Sequence, residues 1–477
     1  MTSEEFRQRG HRLIDWIADY RDHIAERPVM SPVAPGAVRE ALPPGPPQEP
    51  EPFDAILQDV ERILVPGLSH WQHPSFFAYF PSNALPSSVL GDLLSTGLGV
   101  LGVSWQSSPA LTELEERVCD WARQAFGLPA CFTGVIQDTA STGALVALLC
   151  ARERQSDYSL ARGGLAECGA PLVIYLSSEA HSSVEKAALL AGFGRDNLHR
   201  ITVDEGLAMR PEALEAAIQA DLAAGRVPCA VVATTGTTTS TALDPIGPIA
   251  EIARRHGLWL HLDAAMAGSA MILPECRWMW QGVEGADSVV VNVHKWLGAA
   301  FDCSLYFLRD PEHLIRVMST NPSYLQSQVD GQVANLRDWG IPLGRRFRAL
   351  KLWFLFRSEG IEGLQQRIRR DLENARWLAA EVAKRPDWRV LAPVPLQTVC
   401  VLHEPAGKTA EELDRHTLDW VSRLNASGLA YLTPARLDGR WMVRVSVGAH
   451  TTERADVERL WEAMQEMAET RAQMPGA

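Results

Sequence analysis

The segment Asn292-Val293-His294-Lys295-Trp296-Leu297-Gly298 places a lysine just after an apolar run, Ser288 to Asn292. An amine at the carboxyl end of a buried strand stands where open α/β sheets collect their ligands. Apolar neighbours strip water from an ammonium and favour the neutral amine, the form that condenses with an aldehyde to a Schiff base. Five of the 45 Lys and Arg residues are lysines (Lys186, Lys295, Lys351, Lys384 and Lys408), so a lysine set between His and Trp is an uncommon choice. The competing reading is a surface lysine at the start of a loop.

A second constellation, His261-Leu262-Asp263-Ala264-Ala265, ends the apolar run from Leu258, about 30 residues before Lys295. A carboxylate there can face the ring nitrogen of a pyridine aldehyde such as pyridoxal 5′-phosphate (PLP). It keeps that nitrogen protonated, so the ring accepts electrons left on a substrate Cα. Ala265 leaves room for a flat ring. The stretch Gly134 to Ala144 sets small hydroxylated residues before a helical pattern, Leu145 to Arg154. A helix opening of this kind attracts phosphate, although an ordinary Ser/Thr cap accounts for it equally well. His181 follows the run Pro171 to Leu176 and can stack on a ring or serve a structural role. The loop Thr234 to Ser240 offers hydroxyls to ring substituents or to the next helix.

Two patterns are decoys. Gly97-Leu-Gly-Val-Leu-Gly102 matches GxGxxG but follows a helix-like segment, which excludes a dinucleotide fingerprint. Arg345, Arg346, Arg348, Lys351 and Arg357 read as the solvated face of a helix.

These residues need elements to carry them. Short apolar runs at 171–176, 229–233, 258–263 and 288–292 alternate with helical patterns such as 211–224 and 245–256. That alternation predicts a sheet covered on both faces. An amphipathic helix is expected over Thr2 to Ala25, then a Pro-rich arm from Pro28 to Pro52 and a short helix from Phe53 to Leu64. From Arg345 one long helix to Lys384, short strands at 390–391, 399–402 and 442–447, and a last helix from Thr452 predict a smaller α+β domain.

The chain has 477 residues, 46% hydrophobic, with net charge −13. This suits one large domain with smaller attachments and argues against a nucleic-acid partner, which needs a concentrated basic surface. Eight cysteines without CxxC pairs or zinc spacing read as buried reduced thiols, with no metal. The N-terminus is acidic, and the uncharged run Leu93 to Thr112 is too polar to span a membrane. A cytoplasmic protein is expected.

Taken in order, Thr139-Ala140-Ser141, His181, Asp263-Ala264-Ala265 and Asn292-x-His294-Lys295-Trp296 resemble the motifs of the PLP-dependent aromatic-L-amino-acid decarboxylases, the group II decarboxylases. The likeness covers nearly the whole chain, including Phe77 to Pro81, Ser104-Trp105, Ser108 to Leu114 and Ile341 to Arg348. Bacterial L-DOPA decarboxylases share long stretches, such as His181 to Arg195 and Arg337 to Phe354. The resemblance implies fold type I, the aspartate-aminotransferase-like α/β fold. Its mainly parallel central sheet is flanked by helices and joined by a small C-terminal α+β domain and an N-terminal helical arm. The expected division is 1–80, 81–350 and 351–477. A homodimer with shared active sites is implied as well.

By the same resemblance Lys295 is the Schiff-base lysine, Asp263 the pyridinium partner, Ala265 the residue under the ring and His181 the stacking imidazole. Ala140, Ser141 and Asn292 hold the phosphate, Thr238 lies beside the ring, and His294 bonds the phosphate or a catalytic tyrosine. Tyr324 matches the lid tyrosine that protonates the substrate carbon, where aldehyde synthases carry Phe. Tyr79, Ser82, the partner-facing segment Leu101 to Val103, and Gly344 match substrate-pocket positions. Gly344 fits indolic substrates, whereas the general likeness favours L-DOPA over tryptophan, 5-hydroxytryptophan and tyrosine. Four positions depart from the animal enzymes: Thr142-Gly143 replaces a Glu-Ala pair, Met266 a Tyr and Val103 a Phe. The expected activity is decarboxylation of an aromatic L-amino acid to an arylalkylamine and CO₂. The alternatives are aldehyde synthesis, decarboxylation of an acidic amino acid, and a catalytically dead binding protein.

Overall fold

Continuous apolar runs become strands shielded on both faces. In the computed structural model, which describes residues 1–320, 329 and 331–470, the expected runs appear as β2 (Leu172–Ser177), β4 (Val227–Thr234), β5 (Trp259–Asp263) and β6 (Ser288–Val291), almost wholly buried. Three further strands join them: β1 (Thr133–Gln137), β3 (Leu198–Ile201) and β7 (Ser304–Leu308). The order is β1-β7-β6-β5-β4-β2-β3. All run parallel except β7, which pairs antiparallel with both β1 and β6.

The antiparallel β7 matters for position. A parallel neighbour would need a crossover of a dozen or more residues. Because β7 returns directly, the chain between Val291 and Ser304 stays at the carboxyl end of β6, and it carries Lys295.

The chain forms two compact units. One comprises Ser82–Leu372 and Ala392–Thr398 and holds the seven-stranded sheet. The other comprises Met1–Pro81, Glu373–Leu391 and Val399–Ala477. Residues 1–81 thus share a unit with C-terminal segments. In that unit Phe77 N–H donates to Tyr431 O at 3.0 Å and Ser446 N–H donates to Phe77 O at 3.0 Å, so the N-terminal segment is stitched in by backbone bonds. A four-stranded antiparallel sheet follows the order β10-β11-β9-β8, with β8 Trp388–Val390, β9 Thr398–His403, β10 Thr433–Leu437 and β11 Arg440–Ser446.

Several expectations are corrected. The N-terminal helix runs Ser3–Asp22, and the Pro-rich arm contains a short helix, Ala37–Ala41. The expected helix from Arg345 starts at Ala349, and Gly360 interrupts it with φ 64, a left-handed conformation that favours glycine. The supposed solvated face is internal in part, although Arg346 and Arg357 are exposed as expected. Lys351 is fully buried, 3.1 Å from Asp92 Oδ1 and from Ala300 O. Arg345 is buried against Glu115 and donates to Ile136 O at 2.6 Å. Acidic residues on other elements draw these cations inward. Of the cysteines, Cys131 is exposed and Cys168 partly so; the other six are buried, and all eight are free.

Candidate active site

Adjacent strand ends bring the motifs together. In the sheet register Thr234 lies beside Asp263, and Asp263 beside Val290. The loop after β4, the carboxylate ending β5 and the turn after β6 therefore stand side by side. Thr235 N–H donates to Asp263 O at 2.9 Å, which ties the Thr234–Ser240 loop to β5. Thr238 lies partly exposed in that loop. Ala265 N–H donates to Asp263 Oδ1 at 3.1 Å, and Asn292 N–H donates to Ala265 O at 2.9 Å.

The anion end assembles across the sheet. The helix Ala140–Gln155 starts one residue after Thr139, whose side chain makes no capping bond. Instead Asn292 Oδ1 accepts from Ala140 N–H at 2.9 Å. Ser141 lies in the first turn, where helical N–H groups lack intrahelical acceptors. A Cβ at Gly143 would come within 2.8 Å of Val290 Cγ2, so glycine lets this helix start press on β6. Close packing accounts for Gly143, one of the departures from the animal enzymes. Met266, another, is buried at the end of β5.

His181 caps the helix Ser182–Leu190, with its Nδ1 accepting from Ser183 N–H at 3.1 Å. That bond leaves the proton on Nε2, a donor suited to an anion. Desolvation lowers its pKa below the ordinary imidazole range, with Asp263 opposing the shift and Lys295 adding to it. His181 is therefore within electrostatic reach of both Asp263 and Lys295.

Lys295 lies in the turn Val293–Leu297, and its φ −95, ψ −105 departs from helix. Its N–H donates to Asn292 O at 3.0 Å, and its carbonyl accepts from Asn83 N–H at 3.3 Å. Ser82 Oγ donates to His294 O at 3.4 Å. His294 is buried, with Nδ1 2.7 Å from Cys303 O and 3.0 Å from Cys303 N. Burial pushes its pKa down to about 4, so the ring is neutral.

The residues expected at a substrate pocket make a second group. Leu101 is exposed beside Gly344, where a Cβ would sit 3.2 Å from Leu101 Cδ1. Gly102 and Arg345 join these segments by an antiparallel bridge, and Val103 N–H donates to Ser107 Oγ at 3.1 Å. Tyr79 belongs to the other unit, with φ 52; its hydroxyl lies 3.0 Å from that of Tyr431. Tyr324 lies outside the described residues. Sequence reasoning missed Asn83, Arg367 and Asp371, which hold the lysine turn. They come from remote segments without a motif.

This donor set fits PLP. A helix start open to a phosphate, a carboxylate for the ring nitrogen, an imidazole and a lysine amine converge at the carboxyl ends of the strands. Among the described residues no Cys/His/Asp/Glu group suits a metal ion, and no helix is long and apolar enough to cross a membrane.

Residues 35–403 match the pyridoxal-dependent decarboxylase conserved domain. The chain is 40% identical to phenylacetaldehyde synthase of Arabidopsis thaliana, covering 98% of this chain and 96% of that protein. It is 40% identical to the aromatic-L-amino-acid decarboxylase of Mus musculus, covering 98% of each. The crystal structure of Oryza sativa TDC with PLP and tryptamine superimposes with TM-score 0.95 at 36% identity, over 98% of each chain. The chain belongs to the pyridoxal-dependent decarboxylase family, in its aromatic amino-acid branch: a carboxy-lyase of fold type I whose cofactor is pyridoxal 5′-phosphate.

Proposed function

We propose that this enzyme decarboxylates an aromatic L-amino acid, L-DOPA first, to the arylalkylamine and CO₂, with Lys295, Asp263, His181 and Tyr324 as its catalytic residues. The side-by-side strand ends that set Asp263 next to Val290, directly before the Lys295 turn, carry the reading. The bound cofactor supplies the electron sink for the pair released from the Cα–carboxylate bond. Lys295 would hold it covalently, and Asp263 would keep a proton at the ring nitrogen. Ala140, Ser141, Asn292 and His294 would hold the phosphate end, with Thr238 beside the ring and Ala265 beneath it. His181 presents Nε2–H to the substrate carboxylate. Tyr324 Oη returns a proton to the substrate Cα after CO₂ leaves.

Tyr79, Ser82, Leu101, Val103 and Gly344 are assigned to the substrate pocket, with Leu101 and Val103 acting across a homodimer. Support for the dimer is an exposed apolar surface: Leu90, Leu93, Leu94 and Leu98 on one helix, with Leu101 and Leu343. The free thiols suit a cytoplasmic setting.

The test is to incubate the holoenzyme with L-DOPA, L-tryptophan, 5-hydroxytryptophan, L-tyrosine and L-glutamate and follow CO₂, amine and peroxide. Amine and CO₂ in equal amounts, with kcat/KM highest on L-DOPA, is the expected result. Because one relative is named an aldehyde synthase, stoichiometric peroxide with aldehyde would install that second reading instead.

A further inference from the structure

A turn that does not continue as a helix leaves its carbonyls without helical donors. In the turn carrying Lys295 every carbonyl from 293 to 298 nevertheless has a partner. Val293 O accepts from Gly298 and Ala299 N–H, His294 O from Ser82 Oγ, Lys295 O from Asn83 N–H, and Gly298 O from Leu85 N–H. The remaining two, Trp296 O and Leu297 O, accept from a single guanidinium, that of Arg367. This side chain comes from the long helix Ala349–Ala383, about 70 residues onward.

The guanidinium has a buried counter-charge within ion-pair distance. Asp371, one helical turn further on and fully buried, stands 3.8 Å from Arg367 Nη1. Its Oδ2 accepts from the buried Trp296 indole N–H at 2.8 Å. One carboxylate thus faces both the residue after Lys295 and the cation that grips it. Gly298 completes the arrangement: its φ is 103, and a Cβ there would meet Leu85 Cδ1 at 2.1 Å and stand 3.6 Å from Arg367 Nη2. Buried charges are costly unless paired and fully bonded, and nothing in the expected chemistry touches this pair.

We propose that Arg367 and Asp371 form a brace that positions Lys295, fixing its turn from the carboxyl-terminal side so that the amine meets the cofactor aldehyde in one orientation. They are positioning residues, and the proposal rests on Lys295 being the cofactor lysine. Both carbonyls accept from Arg367 Nη2 while Nη1 lies toward Asp371, a spread that the planar guanidinium spans and the point charge of a lysine at 367 does not.

The test uses the holoenzyme and three variants: Arg367→Ala, Arg367→Lys and Trp296→Phe. The last removes the indole N–H with some buried ring volume but leaves Arg367 beside Asp371, and should fold even where Arg367→Ala, which strands a buried carboxylate, does not. For each folded variant the readouts are PLP dissociation constant, rate of PLP capture by apoprotein, pH titration of the bound cofactor's visible band, and kcat and KM. Arg367→Ala is expected to slow capture and lower kcat on the order of 10- to 100-fold, with KM little changed. The titration midpoint should move, Arg367→Lys should restore part of the loss, and Trp296→Phe should give a smaller change of the same kind. Variants that lower only Tm, leaving capture, midpoint and kcat as in the parent, would overturn the brace. Borohydride reduction of the parent and peptide mapping separately tests the underlying assignment. A label on Lys295 with unaltered variants sinks the brace alone; a label elsewhere sinks both.

Discussion

Two segments of the same compact unit differ sharply. The turn around Lys295 is buried, and every carbonyl from 293 to 298 is bonded, Val293 O by the turn's own Gly298 and Ala299 and the other five by two distant segments, 82–85 and Arg367. The Leu98–Leu101 stretch and its neighbour Ile341–Gly344 are exposed, with Leu98, Leu101, Ile341 and Leu343 all presented to solvent. Reactive chemistry needs a group held within a fraction of an ångström, and only dense packing with satisfied polar groups holds one so. Selecting among aromatic rings needs shape, which a surface completed by a second copy can supply. The proposed function thus puts catalysis in the buried part and choice of substrate in the exposed one.

The largest test of this contrast is Lys295→Ala. It should abolish covalent cofactor attachment and lower kcat/KM by roughly 10³-fold or more; activity within tenfold of the parent would dissolve the role given to the turn. Asp263→Asn should retain PLP but lower kcat by about 100-fold, as expected when a preorganised charge opposite the reacting system is lost. Rapid-quench measurement of CO₂ release reads this directly.

The exposed region should respond differently. Leu94→Glu with Leu98→Glu should leave the folded unit intact but shift sedimentation from dimer to monomer, with loss of activity if pocket residues are shared; dimers that persist would remove the surface from the dimer reading. Gly344→Ser places a side chain against Leu101 and should change the ratio of kcat/KM for L-tryptophan over L-DOPA by roughly tenfold, the scale set by small changes of pocket shape, while cofactor binding stays constant.

The smallest expected effect concerns pH. Burial pushes His261 and His294 down to about 4 from 6.5. Between those values the unfolded chain takes up protons that the native one refuses. Their contribution is therefore complete above pH 6.5 and lost as pH falls toward 4, by up to about 1.4 kcal/mol per pH unit for each. Asp244, which burial raises to about 6 from 3.8, opposes this between those values, because native protein holds its proton longer as pH rises. Urea midpoints should therefore fall between pH 6.5 and 4.5, and His294→Gln should shrink the fall; an unchanged slope would count against a buried neutral His294.

Much of this arrangement could be read before folding was considered. The strands β2, β4, β5 and β6 were legible because a strand covered on both faces must be apolar along its length. Asp263 and Lys295 were legible because they end such strands. The small residues at 139–144 were legible as a helix start, but whether they receive an anion or merely cap was open in isolation.

By itself, then, the sequence determined the cofactor class, the family and the residues at the strand ends, since local pattern and motif order specify them. Only the tertiary structure decided that β7 runs antiparallel and keeps the Lys295 turn at the carboxyl end of β6. It also decided that Lys351 is buried rather than solvated, that Gly360 breaks the long helix, and that Arg367 and Asp371 reach the lysine turn. These depend on contacts between residues far apart in the chain. A charged side chain reads the same in sequence whether it faces water or a carbonyl; its partner makes the difference.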